Sequence, residues 1–380
     1  MSSTILYEPT EWKTVCDRGI INYGNLFLIQ KAMRKAMEGK TIRIGFIGGS
    51  ITAGSLSGTP YTCYAYLVYN WWREKFPMSQ VDYINAGIGA TTSRFGVARV
   101  SEDLLCYNPD VVFVEFSVND SNEEKYMETY EGLIRRILSD ACGPSVILIN
   151  NVDYNSGINA QEIHNRVGIY YNLPIISIKD SIYAEIQAGR IAAKEITPDG
   201  LHPNDKGHGL VSQVIINLME AVYDRMANNL DTDKDYLFPE RPITRNRYRD
   251  SVLWNNRNMD SVLHGFKKDK AMKKGWGDVF KNGWYASTKG SKISFYAEYS
   301  TLAVLYRKYA KGKSPKAKLV LDKKEEEAII LDSEFDEDWG DCLYLHEIIY
   351  DRGFDMHLVE ITIIKEAGNR EFYLASIITA

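Results

Sequence analysis

Four short segments carry residue types that could do acyl-transfer chemistry: Gly48-Gly49-Ser50-Ile51-Thr52, Asn85-Ala86-Gly87-Ile88-Gly89, Val118-Asn119-Asp120 and Asp199-Gly200-Leu201-His202-Pro203. Ser50 supplies a hydroxyl nucleophile behind two glycines that let the chain turn tightly, although serine is also a favoured helix N-cap. A glycine at position 89 can offer its N–H to a developing oxyanion with no side chain in the way. The same segment also reads as a tight strand-to-helix turn. Asn119 carries an amide that can donate to that oxyanion, or close an Asx turn. With the Ser50 N–H, these make a hole of three donors: Ser50, Gly89 and Asn119. Asp199 and His202 are three residues apart in a loop bounded by glycine and proline. That spacing lets the carboxylate fold back on the imidazole and fix its tautomer, leaving the other ring nitrogen to deprotonate Ser50. Of the six histidines, only His202 has an upstream aspartate in a rigid turn. His208 reads as a structural residue at the start of the following helix.

These residues need a scaffold that brings them together. Short apolar runs at 42–47, 81–84, 111–116, 146–149 and 175–178 alternate with stretches such as 64–76 and 126–138, long enough for crossover helices. Nearly continuous apolar runs are expected of parallel strands buried on both faces, and the alternation predicts a doubly wound α/β sheet. Three of the four segments directly follow such a run, where open α/β sheets bind ligands. The fourth precedes a final amphipathic helix whose apolar residues run from Leu210 to Met226. Segment 20–39 reads as one helix stopping at Gly39. Beyond about residue 230 the pattern becomes strand-like, with seven runs at 292–299, 302–309, 317–321, 328–331, 343–350, 357–364 and 371–378. Without intervening helices they predict an antiparallel β-sandwich. The expected division is therefore 1–230 and 231–380.

A chain of 380 residues has room for two domains, and 45% hydrophobic with 25% charged residues fits a folded protein. A formal charge of −5 gives nucleic-acid binding no electrostatic support. Five scattered cysteines without a C-x-x-C pair read as reduced thiols. No run approaches the ~18 apolar residues of a membrane span. The first eight residues lack a basic stretch followed by an apolar one, so a cytoplasmic location is expected. No metal is expected, since no spacing matches an established ligand motif. Gly87-x-Gly89-x-x-Thr92 lacks the third glycine of a dinucleotide loop. In the second half, Trp276, Trp284 and Tyr285 are candidates to stack on a sugar ring, the alternative being that they fill the sandwich core.

Taken together, these blocks resemble the SGNH (GDSL-like) hydrolase superfamily, with Ser50, Gly89, Asn119 and His202 matching its block residues and Asp199 completing a triad. The leading block departs from the family pattern in reading Gly-Gly-Ser rather than Gly-Asp-Ser. Position 52 is Thr, so the Gly-x-Ser-x-Gly elbow of another hydrolase fold is absent. The resemblance implies a flavodoxin-like three-layer α/β/α domain and ester hydrolysis without a cofactor. A hydrolase domain followed by a β-sandwich is also similar to the mannan O-acetylesterases of carbohydrate esterase family seventeen. They pair the catalytic domain with a carbohydrate-binding-module-like domain. That likeness implies an acetylated oligosaccharide substrate, with a lysophospholipase or thioesterase, or a non-catalytic glycan-binding protein, as the alternatives. It says nothing of oligomeric state.

Overall fold

The computed structural model describes residues 8–228, 230, 234–271 and 279–380. It divides into two compact units, 1–249 and 250–380.

The first unit is built on six strands, β1 (Ile20–Asn22), β2 (Ile42–Gly48), β3 (Val81–Gly87), β4 (Val111–Glu115), β5 (Ser145–Asn150) and β6 (Ile175–Ser177). Their order is β1-β6-β5-β4-β2-β3, all parallel except β1, which pairs antiparallel with β6. The five parallel strands have the doubly wound order of flavodoxin-like sheets, whose direction of winding reverses between β2 and β4. Residues of β4 and β5 are buried throughout, which is why those runs read as unbroken apolar stretches.

Helices cover both faces. On one lie α1 (Pro9–Arg18), α2 (Phe27–Met37), the single turn α3 (Ser50–Ala53) and α4 (Tyr64–Lys75). On the other lie α5 (Ser93–Asp103), α6 (Glu124–Leu138) and α7 (Gln161–Tyr170). Two short helices, α8 (Ala184–Gln187) and α9 (Ala193–Ile196), lead to α10 (Asp205–Ala227), which packs against α1, α2 and α4. Ile29, Met33, Tyr64, Val68, Trp72, Val211, Ile215 and Leu218 close over Phe46, Phe113 and Ile147 in one continuous core.

Segment 20–39 is not one helix. Ile20–Asn22 forms the antiparallel edge strand, and Asn22 Nδ2 donates to the Leu173 carbonyl at 2.9 Å. Gly24, at φ +58°, then redirects the chain into α2, which ends as expected just before Gly39 at φ +72°. Two β-branched residues beside an unfilled sheet edge outweigh the helical periodicity that follows them.

The compact unit also runs past the expected division at 230. Glu131 carboxylate oxygens accept the N–H groups of Ile243 and Thr244, both at 2.8 Å. Arg135 donates to the carbonyls of Pro239 and Glu240 at 3.0 and 2.8 Å. Glu128 pairs with Arg247 at 2.7 Å. Positions 128, 131 and 135 share a face of α6 by helical spacing, and that face grips the connector as far as Arg247.

The second unit is two antiparallel sheets. One orders β14 (Ile329–Asp332), β13 (Lys316–Leu321), β16 (Asp355–Lys365), β11 (Lys292–Tyr299) and β8 (Val262–His264). The other orders β15 (Cys342–Ile349), β12 (Leu302–Lys308), β17 (Phe372–Thr379), β10 (Trp284–Ala286) and β9 (Lys267–Lys268), with β7 (Val252–Trp254) also on β17. Their inner faces share a core that includes Trp284, Tyr306, Phe372 and Leu374 from one sheet and Ile293, Phe295, Leu319 and Val359 from the other. All seven expected strands are present. The sequence reading missed β7 to β10 because strands of two or three residues show no period.

Candidate active site

The four segments converge. β2 and β4 are adjacent at the reversal of winding, with Gly48 opposite Glu115 in register, so the turns after them flank one crevice. From Gly49 the chain enters α3, and Gly54 closes it at φ +94°. Ser50 is therefore the first residue of a one-turn helix, and its N–H has no intrahelical partner by the geometry of a first turn. Its side chain is nearly buried but reaches His202, whose Nε2 lies 2.8 Å from Ser50 Oγ.

The loop from α9 to α10 carries the candidate acid–base pair. Gly200 takes φ +82°, a conformation that favours glycine, and a side chain there would collide with Asn155. This turn folds Asp199 back so that Oδ1 accepts the N–H groups of Leu201 and His202 at 2.9 and 2.7 Å, while Oδ2 meets His202 Nδ1 at 2.7 Å. Burial works against the charge on Asp199. The His202 side chain and these two backbone donors outweigh it, holding the carboxyl below its ordinary value. A carboxylate only accepts, so Nδ1 carries the hydrogen and Nε2 is left as the acceptor for the Ser50 hydroxyl.

The oxyanion candidates stand beside the serine. A side chain at Gly89 would first meet Ser50 Cβ, at 3.7 Å. Asn119 sits in the turn after β4, its N–H bonded to the Phe116 carbonyl at 3.0 Å. Its Oδ1 is buried without a hydrogen-bond partner among the described residues and occupies the place where a Cβ on residue 49 would fall. With the oxygen turned to Gly49, the amide nitrogen is the end presented as a donor. Gly49 thus makes room for Asn119, which gives the Gly-Gly-Ser variant of the leading block a physical reason.

Supporting residues came less readily from the sequence. Asp120 Oδ1 accepts the N–H of Ser93 at 2.9 Å and Oδ2 meets His164 Nε2 at 3.1 Å, with the Tyr130 ring stacked 3.6 Å from the imidazole. This buried carboxylate ties the Asn119 turn to the start of α5, four residues after Gly89. Asn155 Nδ2 donates to the Asp199 carbonyl at 3.1 Å. His208, read as structural, accepts the N–H of Tyr64 at Nδ1 (3.2 Å), and its Nε2 faces the Ser55 carbonyl at 3.3 Å. Those two bonds require the neutral ring, and burial lowers its pKa to about 4. Nothing local marks the partners of these residues, which are remote in sequence.

In the second unit, Trp284 is wholly buried in the sandwich core and is not available to stack on a sugar. Core filling, the alternative weighed for it, is what the register imposes. Tyr285, pointing to the opposite face of its strand, is half-buried. Trp276 lies outside the described residues. Among the described residues, no group of three or more His, Cys, Asp or Glu is placed to hold a metal ion, and no helix is long and apolar enough to cross a membrane.

The GDSL-like Lipase/Acylhydrolase family model matches residues 46–210, the span from β2 to the start of α10. No curated protein sequence matches the chain. Two solved structures match nearly its whole length. The crystal structure of a two-domain esterase (CEX) active on acetylated mannans is 44% identical over 96% of this chain and 98% of its own, with a TM-score of 0.91. The same esterase co-crystallized with mannopentaose matches at 44% identity over 96% and 97%, with a TM-score of 0.90. With the block residues brought to one crevice and that identity running through both units, the chain belongs to the GDSL-like lipase/acylhydrolase family and is an acyl-ester hydrolase.

Proposed function

We propose that this enzyme removes O-acetyl groups from carbohydrate, with acetylated manno-oligosaccharides as substrate, through an acetyl-serine intermediate. The observation that carries the reading is the unbroken series Ser50 Oγ–His202 Nε2 at 2.8 Å and His202 Nδ1–Asp199 Oδ2 at 2.7 Å. Ser50 Oγ attacks the acetyl carbonyl carbon as His202 Nε2 takes its proton. Asp199 holds the imidazolium that forms. Negative charge gathers on the carbonyl oxygen, where the N–H groups of Ser50 and Gly89 and the Asn119 amide receive it. Collapse breaks the bond to the sugar oxygen, which leaves with the proton from His202. Water, deprotonated by the same ring, then releases acetate and restores Ser50.

The two-domain esterase acts on acetylated mannans, and identity over both units supports the same substrate class here. The β-sandwich favours sugar over a lipid acyl chain, and we propose that it contributes to glycan recognition. Trp284 takes no part in that, and Tyr285 is half-buried. The five cysteines are unbridged, which supports work in a reducing compartment on sugars already taken up by the cell.

NMR of acetylated manno-oligosaccharides before and after treatment tests the reaction and reports which hydroxyl is cleared. Acetate release with loss of sugar acetyl signals is expected. In a series of 4-nitrophenyl esters, turnover should fade beyond about four acyl carbons, as expected of a pocket shaped for acetyl. Faster turnover of long chains would instead identify a lysophospholipase or thioesterase. Unhydrolysed oligosaccharide that still bound would point to a glycan-binding protein.

The Gly49–Asn119 contact gives a second test. A methyl at 49 collides only with the amide end of the Asn119 side chain, so Gly49→Ala should leave the melting temperature within about 2 °C. It should still lower kcat about tenfold or more by displacing the oxyanion donor. Unchanged kcat would separate position 49 from that donor.

A further inference from the structure

Beneath the crevice lies a carboxyl that none of these acyl-transfer steps uses. Glu115 ends β4 and is fully buried. Its Oε1 accepts the backbone N–H of Ser117 at 3.2 Å and lies 3.2 Å from the Ser117 hydroxyl, which also reaches the Asn151 carbonyl at 3.0 Å. Its Oε2 lies 3.3 Å from Thr52 Oγ1, and that hydroxyl shares a 2.8 Å hydrogen bond with Tyr64 Oη. Thr52 stands two residues after Ser50 on the single turn of α3, and Ser117 stands two residues before Asn119. One side chain therefore spans the two turns that carry the nucleophile and the side-chain oxyanion donor. No cation contacts it among the described residues.

We propose that Glu115, as the neutral acid, is a positioning residue that fastens the Ser50 turn to the Asn119 turn and so fixes the spacing of nucleophile and oxyanion donor. Each link of the bridge has a donor and an acceptor in that form. Ser117 N–H donates to Oε1, the acid proton on Oε2 is given to Thr52 Oγ1, and the Thr52 hydrogen goes on to Tyr64 Oη. Burial raises the pKa to about 7 against the lowering effect of the Ser117, Thr52 and Asn151 hydrogen bonds, so the neutral form prevails below about pH 7. The titratable groups that face it are Tyr64 from α4 and Tyr130 from α6, both raised by burial and both neutral near pH 7. A buried anion here, without a cation in contact among the described residues, would be costly.

This inference rests on Ser50 being the nucleophile, so the experiment includes Ser50→Ala. Glu115→Leu, Glu115→Gln and Thr52→Val are compared by kcat per serine titrated in the 4-nitrophenyl acetate burst. That normalisation removes any loss due to misfolded protein. Glu115→Leu is expected to lower kcat per site about tenfold with KM within about twofold, as for a small misplacement of reacting groups. Thr52→Val, which cuts only the Ser50 side of the bridge, should lower it about fivefold. Glu115→Gln keeps an acceptor for Ser117 and a donor for Thr52, and should recover to within about threefold of the native enzyme.

The melting temperature adds a second readout. A carboxyl raised from 4.5 to about 7 in the folded state binds its proton more tightly there than in the unfolded chain. Its stabilising effect is complete below about pH 4.5 and declines as pH rises through 7. Native protein should lose melting temperature from pH 5 to pH 8 by more than Glu115→Gln does. Native kcat per titrated site in Glu115→Leu or in Thr52→Val, or an equal pH dependence in Glu115→Gln, overturns the proposal. If Glu115→Leu fails to fold, Thr52→Val decides. A fully active Ser50→Ala would sink the nucleophile reading itself, whereas an inactive Ser50→Ala with an unimpaired Glu115→Leu sinks only the role of Glu115.

Discussion

Ser50→Ala is expected to cut acetyl release by on the order of 10⁶ in kcat, the loss found when the nucleophile of a serine triad is removed. Ser50 sits 9% exposed at the start of a single helical turn, hydrogen-bonded to one ring nitrogen. The alanine variant keeps that turn, because Gly49 and Gly54 set its ends. His202 and Asp199 also stay in place, since the Leu201 and His202 N–H groups hold the carboxylate independently of the serine. The melting temperature should therefore stay close to that of the native protein while the burst of 4-nitrophenol disappears. The residual rate reports what the oxyanion donors and binding achieve alone, about 10³–10⁴ over the reaction in water. A variant that still gave a full burst would place the nucleophile elsewhere.

Asn119→Ala should cost about 10²–10³ in kcat with KM little changed, the measured scale for one side-chain oxyanion donor. The split matters because the oxyanion exists only along the reaction path. Removing a donor that acts there lowers kcat and kcat/KM together. The truncation also removes Oδ1 from its place over Gly49, where it has no hydrogen-bond partner among the described residues. Stability is therefore not expected to fall for lack of a lost bond. An equal rise in KM without loss of kcat would assign Asn119 to ground-state binding instead.

The candidate site residues were legible because each stands at the end of an apolar run or inside a glycine-bounded turn. The chemistry of one residue type at such a place is restricted. Ser50 after β2, Asn119 after β4 and the Asp199–His202 pair before α10 needed no knowledge of distant contacts to be picked out. Glu115 was visible only as a polar interruption of an apolar run, and Asp120 and Asn155 only as members of polar loops. What they do depends on Thr52, His164 and the Asp199 carbonyl, which lie 63, 44 and 44 positions away in sequence. The long sandwich strands were legible from alternation. The inward facing of Trp284 was not, because the facing of a three-residue strand is set by its register with Leu374 rather than by neighbouring residues. Likewise, Ile20–Asn22 becomes a strand only because β6 offers it an edge.

The hold of α6 on the connector bears on how such a protein could be taken apart, in evolution or at the bench. A gene cut at codon 230 would strip Glu128, Glu131 and Arg135 of the partners supplied by residues 239–247. Three charged side chains, all nearly buried in the whole chain, would then lose these bonds. A hydrogen bond to a charged group typically contributes about 1.5–3 kcal/mol, so losing several together is a sizeable part of the stability of a modest domain. The hydrolase therefore includes its tether. Exchange of one appended module for another is tolerable only at a seam beyond Arg249, where nothing in that clasp is disturbed.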